Sequence, residues 1–190
     1  SPVQTSMLIK ESKLPYTENL LNAVDNVDLY TTESKRALNL GIYGTDLGYV
    51  TLYNQNATSL KYLKVVEKLT KELKLENAFD KKFMERFEKN NTNQDSMVKI
   101  VSDAFQKADN FLKTNDRKNT SVLILTGGWI ESLYLACELN RINSNPKLKD
   151  RIGEQQETLN TIIEILELYK KNGVNDEILS SMEELKFSFD

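Results

Sequence analysis

The distribution of proline is the feature that most constrains how this chain of 190 residues can fold. Proline occurs only at positions 2, 15 and 146. Because proline has no N–H donor and breaks helix interiors, about 130 residues between Pro15 and Pro146 are free to be helical. Apolar residues in this span recur at helical spacing, as in Met97, Val101, Ala104 and Ala108. The sequence therefore predicts an all-α protein.

The same periodicity, taken along the whole chain, predicts how the helices are organised. Residues 1–16 show no clear period, and we expect an extended N-terminal tail there. Residues 17–190 read as one domain, a multi-helix bundle of about seven or eight helices with two closely packed, glycine-containing helices at its centre. The chain is long enough for one substantial core, whereas two domains would each be small.

One long helix is predicted over residues 146–171, beginning at the Asn145–Pro146 pair. Its apolar residues form a seam with a repeat of seven, typical of a helix that packs along another helix. The seam consists of Ile152, Leu159 and Leu166, with Gln155, Ile162 and Tyr169 beside it.

Composition excludes several kinds of function. The chain has no histidine and a single cysteine, Cys137. Catalysis by Ser-His-Asp or Cys-His groups, histidine-ligated metals, intrachain disulfides and cysteine metal clusters are therefore all excluded. A formal net charge of −3 gives no electrostatic reason to expect nucleic acid as a partner. We predict no metal site and no cofactor.

Five of the seven glycines fall in two segments, "LNLGIYGTDLGYV" and "SVLILTGGWIESLYLACEL". Taken alone, the second segment has the outline of a strand, a glycine turn and a helix that together bind phosphate. A sheet needs partner strands, however, and "GYVTLY" is the only other candidate. We therefore interpret both segments as helices.

As helices, both segments present small residues along one face. Each glycine inside a helix costs about 1 kcal/mol relative to alanine, and close approach of a neighbouring backbone would offset that cost. The glycines therefore predict two central helices that cross closely, with a ligand cradle as the alternative. The predicted packing residues are Gly41, Gly44, Gly48, Gly127 and Gly128.

Two acids lie on these otherwise apolar helices, Asp46 on the first and Glu131 on the second. A carboxylate in such a place must reach solvent or find partners, so both could face one polar pocket walled by aromatic side chains. Such a pair can carry out acid/base chemistry, or it can be structural and pair with Arg36, Arg117 or Arg141. The predicted ligand-binding set is Tyr43, Asp46, Tyr49, Trp129, Glu131 and Tyr134, and no residue is assigned as catalytic.

Three segments carry a resemblance to a known family: "ALNLGIYGTDLGYVTLYNQ", "DSMVKIVSDAFQKADNFL" and "GGWIESLYLA". In this order, they resemble a family of predicted cell-envelope lipoproteins from Gram-negative bacteria that has no established activity. The resemblance covers residues from about 17 to about 170. It implies an exported protein at the cell envelope or on the periplasmic face, tethered by a lipidated cysteine upstream of Ser1. Cys137 does not match that position.

Three functional hypotheses follow. The first is a non-catalytic exported helical module that binds a partner protein or a small ligand at the cell envelope and meets the membrane only through a possible lipid anchor. The second is an enzyme, a hydrolase or lyase, that uses Asp46 and Glu131 as acid and base. The third is a structural subunit that docks through helix 146–171, which would leave an exposed apolar strip on that helix.

Overall fold

The computed structural model describes residues 9–10, 13–90, 93–170, 173 and 175–189. Within these ranges the chain forms eight α-helices and no strand, so the predicted all-α bundle is confirmed. The helices are α1 (Glu33–Leu52), α2 (Asn56–Glu72), α3 (Lys81–Lys89), α4 (Gln94–Thr114), α5 (Lys118–Ile142), α6 (Pro146–Gly153), α7 (Gln155–Leu168) and α8 (Asp176–Lys186).

Short polar side chains fix where several of these helices begin. The Thr32 hydroxyl accepts a hydrogen bond from the Lys35 N–H at 3.2 Å, and the Asp80 carboxylate accepts one from the Phe83 N–H at 2.8 Å. Asn145 caps α6 directly before Pro146. Each cap satisfies an N–H group that the first helical turn leaves without a partner.

Helices α1 and α5 cross at the centre of the bundle, and glycine makes the crossing possible. A Cβ atom at Gly41 would overlap the carbonyl oxygen of Ile124, and one at Gly127 would overlap that of Leu38. Backbone atoms cannot move aside as side chains can, so both positions require glycine. This is the close packing of two glycine-containing helices that the sequence predicts.

The prediction of one helix over 146–171 is wrong. The described part divides into α6 and α7 at Glu154, directly after Gly153, and residue 171 lies outside the described residues. Gly153 is a poor helix former. The break places Gln155 at the start of α7, where its Oε1 accepts a hydrogen bond from the buried Trp129 Nε1 at 3.0 Å.

The apolar seam of this region faces the core. Leu159, Ile162 and Leu166 are buried, whereas Leu168 is exposed. The exposed apolar strip that the docking hypothesis requires is therefore absent at these three seam residues.

The segment that precedes α1 in the sequence packs over that helix. We call residues 14–30 the N-terminal strap; it contains two short 3₁₀ helices, Glu18–Leu20 and Val24–Leu29. Of the described residues in the predicted tail, Ile9 and Leu14 are buried in the core.

By length and composition alone, α5 is the one helix among the described residues that could cross a membrane, and 67% of its most apolar 18-residue window is buried inside the fold.

Candidate ligand-binding cavity and a buried carboxyl pair

A cavity of about 260 Å³ lies between α1, α4 and α5. Helices α1 and α4 run antiparallel along it: the Gln94 side chain at the start of α4 donates to the Leu52 carbonyl at the end of α1, and Phe105 packs against Gly44 further back. The lining residues are Gly41, Gly44, Thr45, Gly48, Thr51 and Leu52 of α1; Val98, Val101, Ser102, Phe105 and Asp109 of α4; and Ser121, Ile124, Leu125 and Gly128 of α5.

The three glycines of α1 differ in what surrounds them. Gly41 touches the α5 backbone, and a Cβ atom at Gly44 would overlap the ring of Phe105. At Gly48, by contrast, a Cβ atom would meet no atom within 4 Å, so this residue faces open space. Close packing against a neighbour therefore explains the glycines at positions 41 and 44. Gly48 has no such neighbour and borders the cavity.

Polar side chains line the cavity at both ends and between them, where Thr45 and Ser102 lie. At one end, the Ser121 hydroxyl donates to Asp109, and the Lys113 Nζ also binds Asp109 at 2.7 Å. At the other end, the hydroxyl oxygen of Thr51 is buried and has no hydrogen-bond partner, although Thr51 is only 2% exposed. A buried hydroxyl without a partner costs free energy.

The charge of the lining is one-sided. Among the described residues that line the cavity, Asp109 is the one charged residue and none is a lysine or an arginine. Most of the remaining lining residues are aliphatic, aromatic or glycine. Such a wall favours an apolar molecule with few polar groups.

The two predicted acids come together on the opposite side of α1 from Gly48. The side chains of Asp46 and Glu131 lie close enough for each to shift the pKa of the other, and Asp46 Oδ2 accepts the Asn22 N–H at 3.2 Å. Asp46 is 0% exposed and Glu131 is 7% exposed. Asp46 Oδ1 and Glu131 Oε1 are buried without a hydrogen-bond partner, and a proton held by one carboxyl group would let it donate to the other.

Burial sets the protonation of this pair. It raises the pKa of Asp46 well above its usual range, and the neighbouring Glu131 raises it further. Burial also raises the pKa of Glu131 to about 7, and the hydrogen bond from Asp46 acts against that rise. The more deeply buried Asp46 therefore holds the proton and donates it to Glu131.

The predicted arginine partners of these acids bind other groups. Arg36 pairs with Glu72, Arg117 with Glu33, and Arg141 with Glu138. Hence the carboxyl pair is stabilised by a shared proton and by the backbone of the strap, not by a salt bridge to these residues.

Tyrosines of α1 and α2 hold the strap over this side of the bundle. Tyr43 donates to the Ala23 carbonyl at 2.7 Å, Tyr53 to the Leu14 carbonyl at 2.7 Å, and Tyr62 to the Asn22 carbonyl at 3.0 Å. Tyr49 accepts the Thr17 N–H at 3.1 Å. These bonds, together with the one to Asp46, attach the strap to α1 and α2.

The six residues predicted to bind a ligand do not form one pocket wall. Tyr43, Asp46 and Tyr49 contact the strap, and Trp129 is buried against Gln155. Tyr134 is 44% exposed. None of the six, Glu131 included, lines the cavity between α1, α4 and α5.

The contribution of α4 to the cavity was not predicted from the sequence. Ser102 and Asp109 are two polar residues, seven positions apart, on the lining face of that helix. Polar residues at helical spacing beside Val98, Val101 and Phe105 were the available signal. What the sequence did not contain was the pairing of this face with Gly44 and Gly48.

Comparison with known proteins adds no assignment. No protein-family model, no curated protein and no solved structure matches this chain.

Proposed function

We propose that this protein is a non-catalytic helical module that binds a small, mainly apolar ligand in the cavity between α1, α4 and α5. The observation that carries the proposal is Gly48, a glycine inside a long helix whose missing side chain leaves open space. Glycine in such a position costs about 1 kcal/mol relative to alanine. At Gly41 and Gly44 contact with a neighbour offsets the cost, whereas at Gly48 the gain is room for another molecule.

The size and chemistry of the cavity agree with this proposal. An engineered apolar cavity of about 150 Å³ in another protein binds benzene, so a cavity of about 260 Å³ has room for roughly ten non-hydrogen atoms.

The carboxyl pair supports a structural role better than an enzymatic one. Asp46 is fully buried, and the strap is bonded to it through the Asn22 N–H. Acid/base catalysis needs a substrate atom within hydrogen-bond reach of the catalytic group. The proposal therefore places the ligand on the Gly48 side of α1 and leaves the pair to the fold.

Location at the cell envelope is a second part of the proposal, and it rests on the sequence resemblance alone. Fractionation of cells that produce this protein, followed by detection in membrane and soluble fractions, tests that part separately from ligand binding.

Binding is tested by adding 1-octanol or naphthalene to the ¹⁵N-labelled protein and following amide chemical shifts. We expect at least one probe to shift the signals of residues around Gly48 and Val101. A leucine at position 48 extends into the open space, so Gly48→Leu should remove those shifts without lowering stability.

The matched control is Gly153→Leu. Gly153 is also a helical glycine whose added Cβ meets no atom within 4 Å, but it does not line the cavity. This variant should bind as the wild type does. If neither probe shifts the wild-type signals, or if Gly48→Leu still binds normally, the proposed function is wrong.

A further inference from the structure

We infer that the N-terminal strap is a pH-sensitive cover, which opens around Asn22 when the carboxyl pair beneath it becomes charged. The inference concerns the side of α1 away from Gly48 and does not depend on ligand binding in the cavity. Three features lead to it: the position of the pair beneath the strap, the lack of positive charge around the pair, and the way in which the strap is attached.

The carboxyl pair lies between two crossing helices and the strap. The backbones of α1 and α5 are in contact at Gly41 and Gly127, so separating these helices would break the centre of the fold. Asp46 Oδ2 accepts the Asn22 N–H at 3.2 Å, which places the strap directly against the pair. Asp46 Oδ1 and Glu131 Oε1 are buried and have no hydrogen-bond partner. Movement of the strap is therefore the least disruptive way to bring water to these oxygens.

The strap itself carries charge of one sign. Residues 14–30 contain no lysine or arginine, and their three acids are Glu18, Asp25 and Asp28. Asp28 is paired with Lys68 of α2. In the part of the chain that the structure describes, no lysine or arginine acts on the pKa of either acid of the pair. A charge that forms on the pair is therefore not compensated from above or from the sides.

The other titratable groups near the pair are tyrosines, one from each element around it: Tyr43 of α1, Tyr62 of α2 and Tyr16 of the strap. Burial raises the pKa of Tyr16 to about 12, and it raises the pKa of Tyr43 and Tyr62 well above the usual range of tyrosine. All three stay neutral between pH 5 and pH 8. The carboxyl groups are therefore the ones that titrate beneath the strap in this range.

The attachment of the strap allows it to open by itself. Five hydrogen bonds join its main chain to side chains of α1 and α2, and no contact between two α-helices depends on them. Its buried side chains are few, namely Leu14, Leu20 and Val27. Segments with few buried apolar contacts open at a lower free energy than the core does.

The direction of the pH effect follows from where the proton is bound more tightly. Burial raises the pKa of Glu131 from 4.5 to about 7, whereas contact with water would return it toward 4.5. The bound proton therefore stabilises the closed strap fully below about pH 4.5, and this contribution is lost as pH rises to about 7. At pH 8 a charged pair lies beneath an acidic strap, so the open form is more populated than at pH 5.

The test is amide hydrogen exchange of the ¹⁵N-labelled wild type at pH 5 and pH 8. Rates are expressed as protection factors, which removes the intrinsic pH dependence of exchange. The Thr17 and Asn22 amides, bonded to Tyr49 and Asp46, report on the strap. We expect their protection to fall at least about tenfold from pH 5 to pH 8. At both pH values it should stay at least about tenfold below that of the Gly128 amide, which reports on the crossing of α1 and α5.

A pair of variants isolates the charge of the pair. Glu131→Gln keeps the shape of the side chain but does not titrate, so it should make the loss of protection at Asn22 at least about threefold smaller. Glu138→Gln is the matched control: Glu138 lies on the same helix but is paired with Arg141. This control should keep the full loss.

Two outcomes would overturn the inference in the wild type alone. One is equal protection of Thr17 and Asn22 at pH 5 and pH 8. The other is protection equal to that of Gly128 at pH 8, because the strap would then open only when the whole protein unfolds. If Glu138→Gln reduces the loss as much as Glu131→Gln does, the carboxyl pair is not its cause and the inference is likewise overturned. The proposed function is unaffected by these results, because Gly48→Leu tests it on its own.

Discussion

Helix α1 has two glycine positions with different surroundings. We call the surroundings of Gly41, packed against α5, the tight region, and those of Gly48, beside the cavity, the loose region. Around Gly41 the α5 backbone is so close that no side chain fits, whereas around Gly48 a side chain would meet nothing within 4 Å. The two residues lie seven positions apart, about two turns, on the same face of one helix and look equivalent in the sequence. The difference teaches that a glycine-rich helix face can serve packing at one point and leave room for a ligand two turns later.

The largest expected effect is at the tight region. In Gly41→Ala the new methyl group would overlap the Ile124 carbonyl oxygen, and the two helix backbones would have to separate. We expect the free energy of unfolding to fall by about 3 kcal/mol or more. Urea denaturation followed by circular dichroism measures this loss. A variant as stable as the wild type would mean that α1 and α5 do not cross as closely as described.

The carboxyl pair beside the tight region predicts a dependence of stability on pH. Burial raises the pKa of Asp46 and Glu131, that of Glu131 from 4.5 to about 7, so the folded state holds protons that the unfolded chain has lost. The contribution of Glu131 is therefore fully present below about pH 4.5 and is lost as pH rises through about 7, and that of Asp46 is fully present below about pH 3.8 and is lost as pH rises through its raised pKa. We expect unfolding to require less urea at pH 8 than at pH 5, with a loss on the order of 2 kcal/mol.

Glu131→Gln should reduce this dependence, because glutamine does not titrate and only the buried Asp46 then contributes. The control is Glu138→Gln on the same helix: Glu138 is bound to Arg141, and the pKa of its carboxyl is lowered by that arginine, so it titrates outside this pH range. The control should keep the wild-type slope. A urea midpoint that does not fall between pH 5 and pH 8 in the wild type would contradict the shared proton.

Gly44 lies between the two regions and should show an intermediate effect. An alanine there would overlap the ring of Phe105, a half-buried side chain that can rotate, whereas the backbone at Gly41 cannot. After allowing for the better helix propensity of alanine, we expect a loss of about 1 kcal/mol. Thermal unfolding measures it, and a loss as large as that of Gly41→Ala would mean that Phe105 cannot move.

The smallest effect should be at the loose region, and its sign should be opposite. Gly48→Ala places a methyl group in open space, so only helix propensity changes, and stability should rise by up to about 1 kcal/mol. The comparison between Gly41 and Gly48 depends on this difference in sign. A clear loss of stability in Gly48→Ala would show that the space is filled in solution.

Much of the fold could be predicted because it depends on local sequence signals. Proline positions, capping residues and apolar periodicity give the helices, and the cost of glycine in a helix gives the close crossing of α1 with α5. The single helix over 146–171 was predicted wrongly because the apolar repeat of seven residues continues across Gly153, where the helix breaks. That glycine was the signal of the break, and the hydrogen bond between Trp129 and Gln155 is a tertiary contact that no local pattern contains.

The candidate site was less predictable for the same reason. Asp46 and Glu131 could be paired in advance, because two acids on two crossing apolar helices need each other. The cavity depends on which face of α4 lies against Gly48, and that pairing is decided by packing across the whole bundle. Glycines along a helix therefore indicate that one of its faces has a close neighbour or open space beside it. They do not indicate which element lies against that face.

The tyrosine anchors of the N-terminal strap carry a consequence for how this protein can evolve. The bonds from Tyr43, Tyr53 and Tyr62 end on carbonyl oxygens of the strap, and Tyr49 and Asp46 bind its N–H groups. All five contacts use main-chain atoms, which every residue except proline provides in full. The exposed side chains of the strap are therefore free to diverge between related proteins, whereas its core residues Leu14, Leu20 and Val27, and the tyrosines and Asp46 beneath it, are not. Proline should be absent from positions 17 and 22, whose N–H groups make two of these bonds.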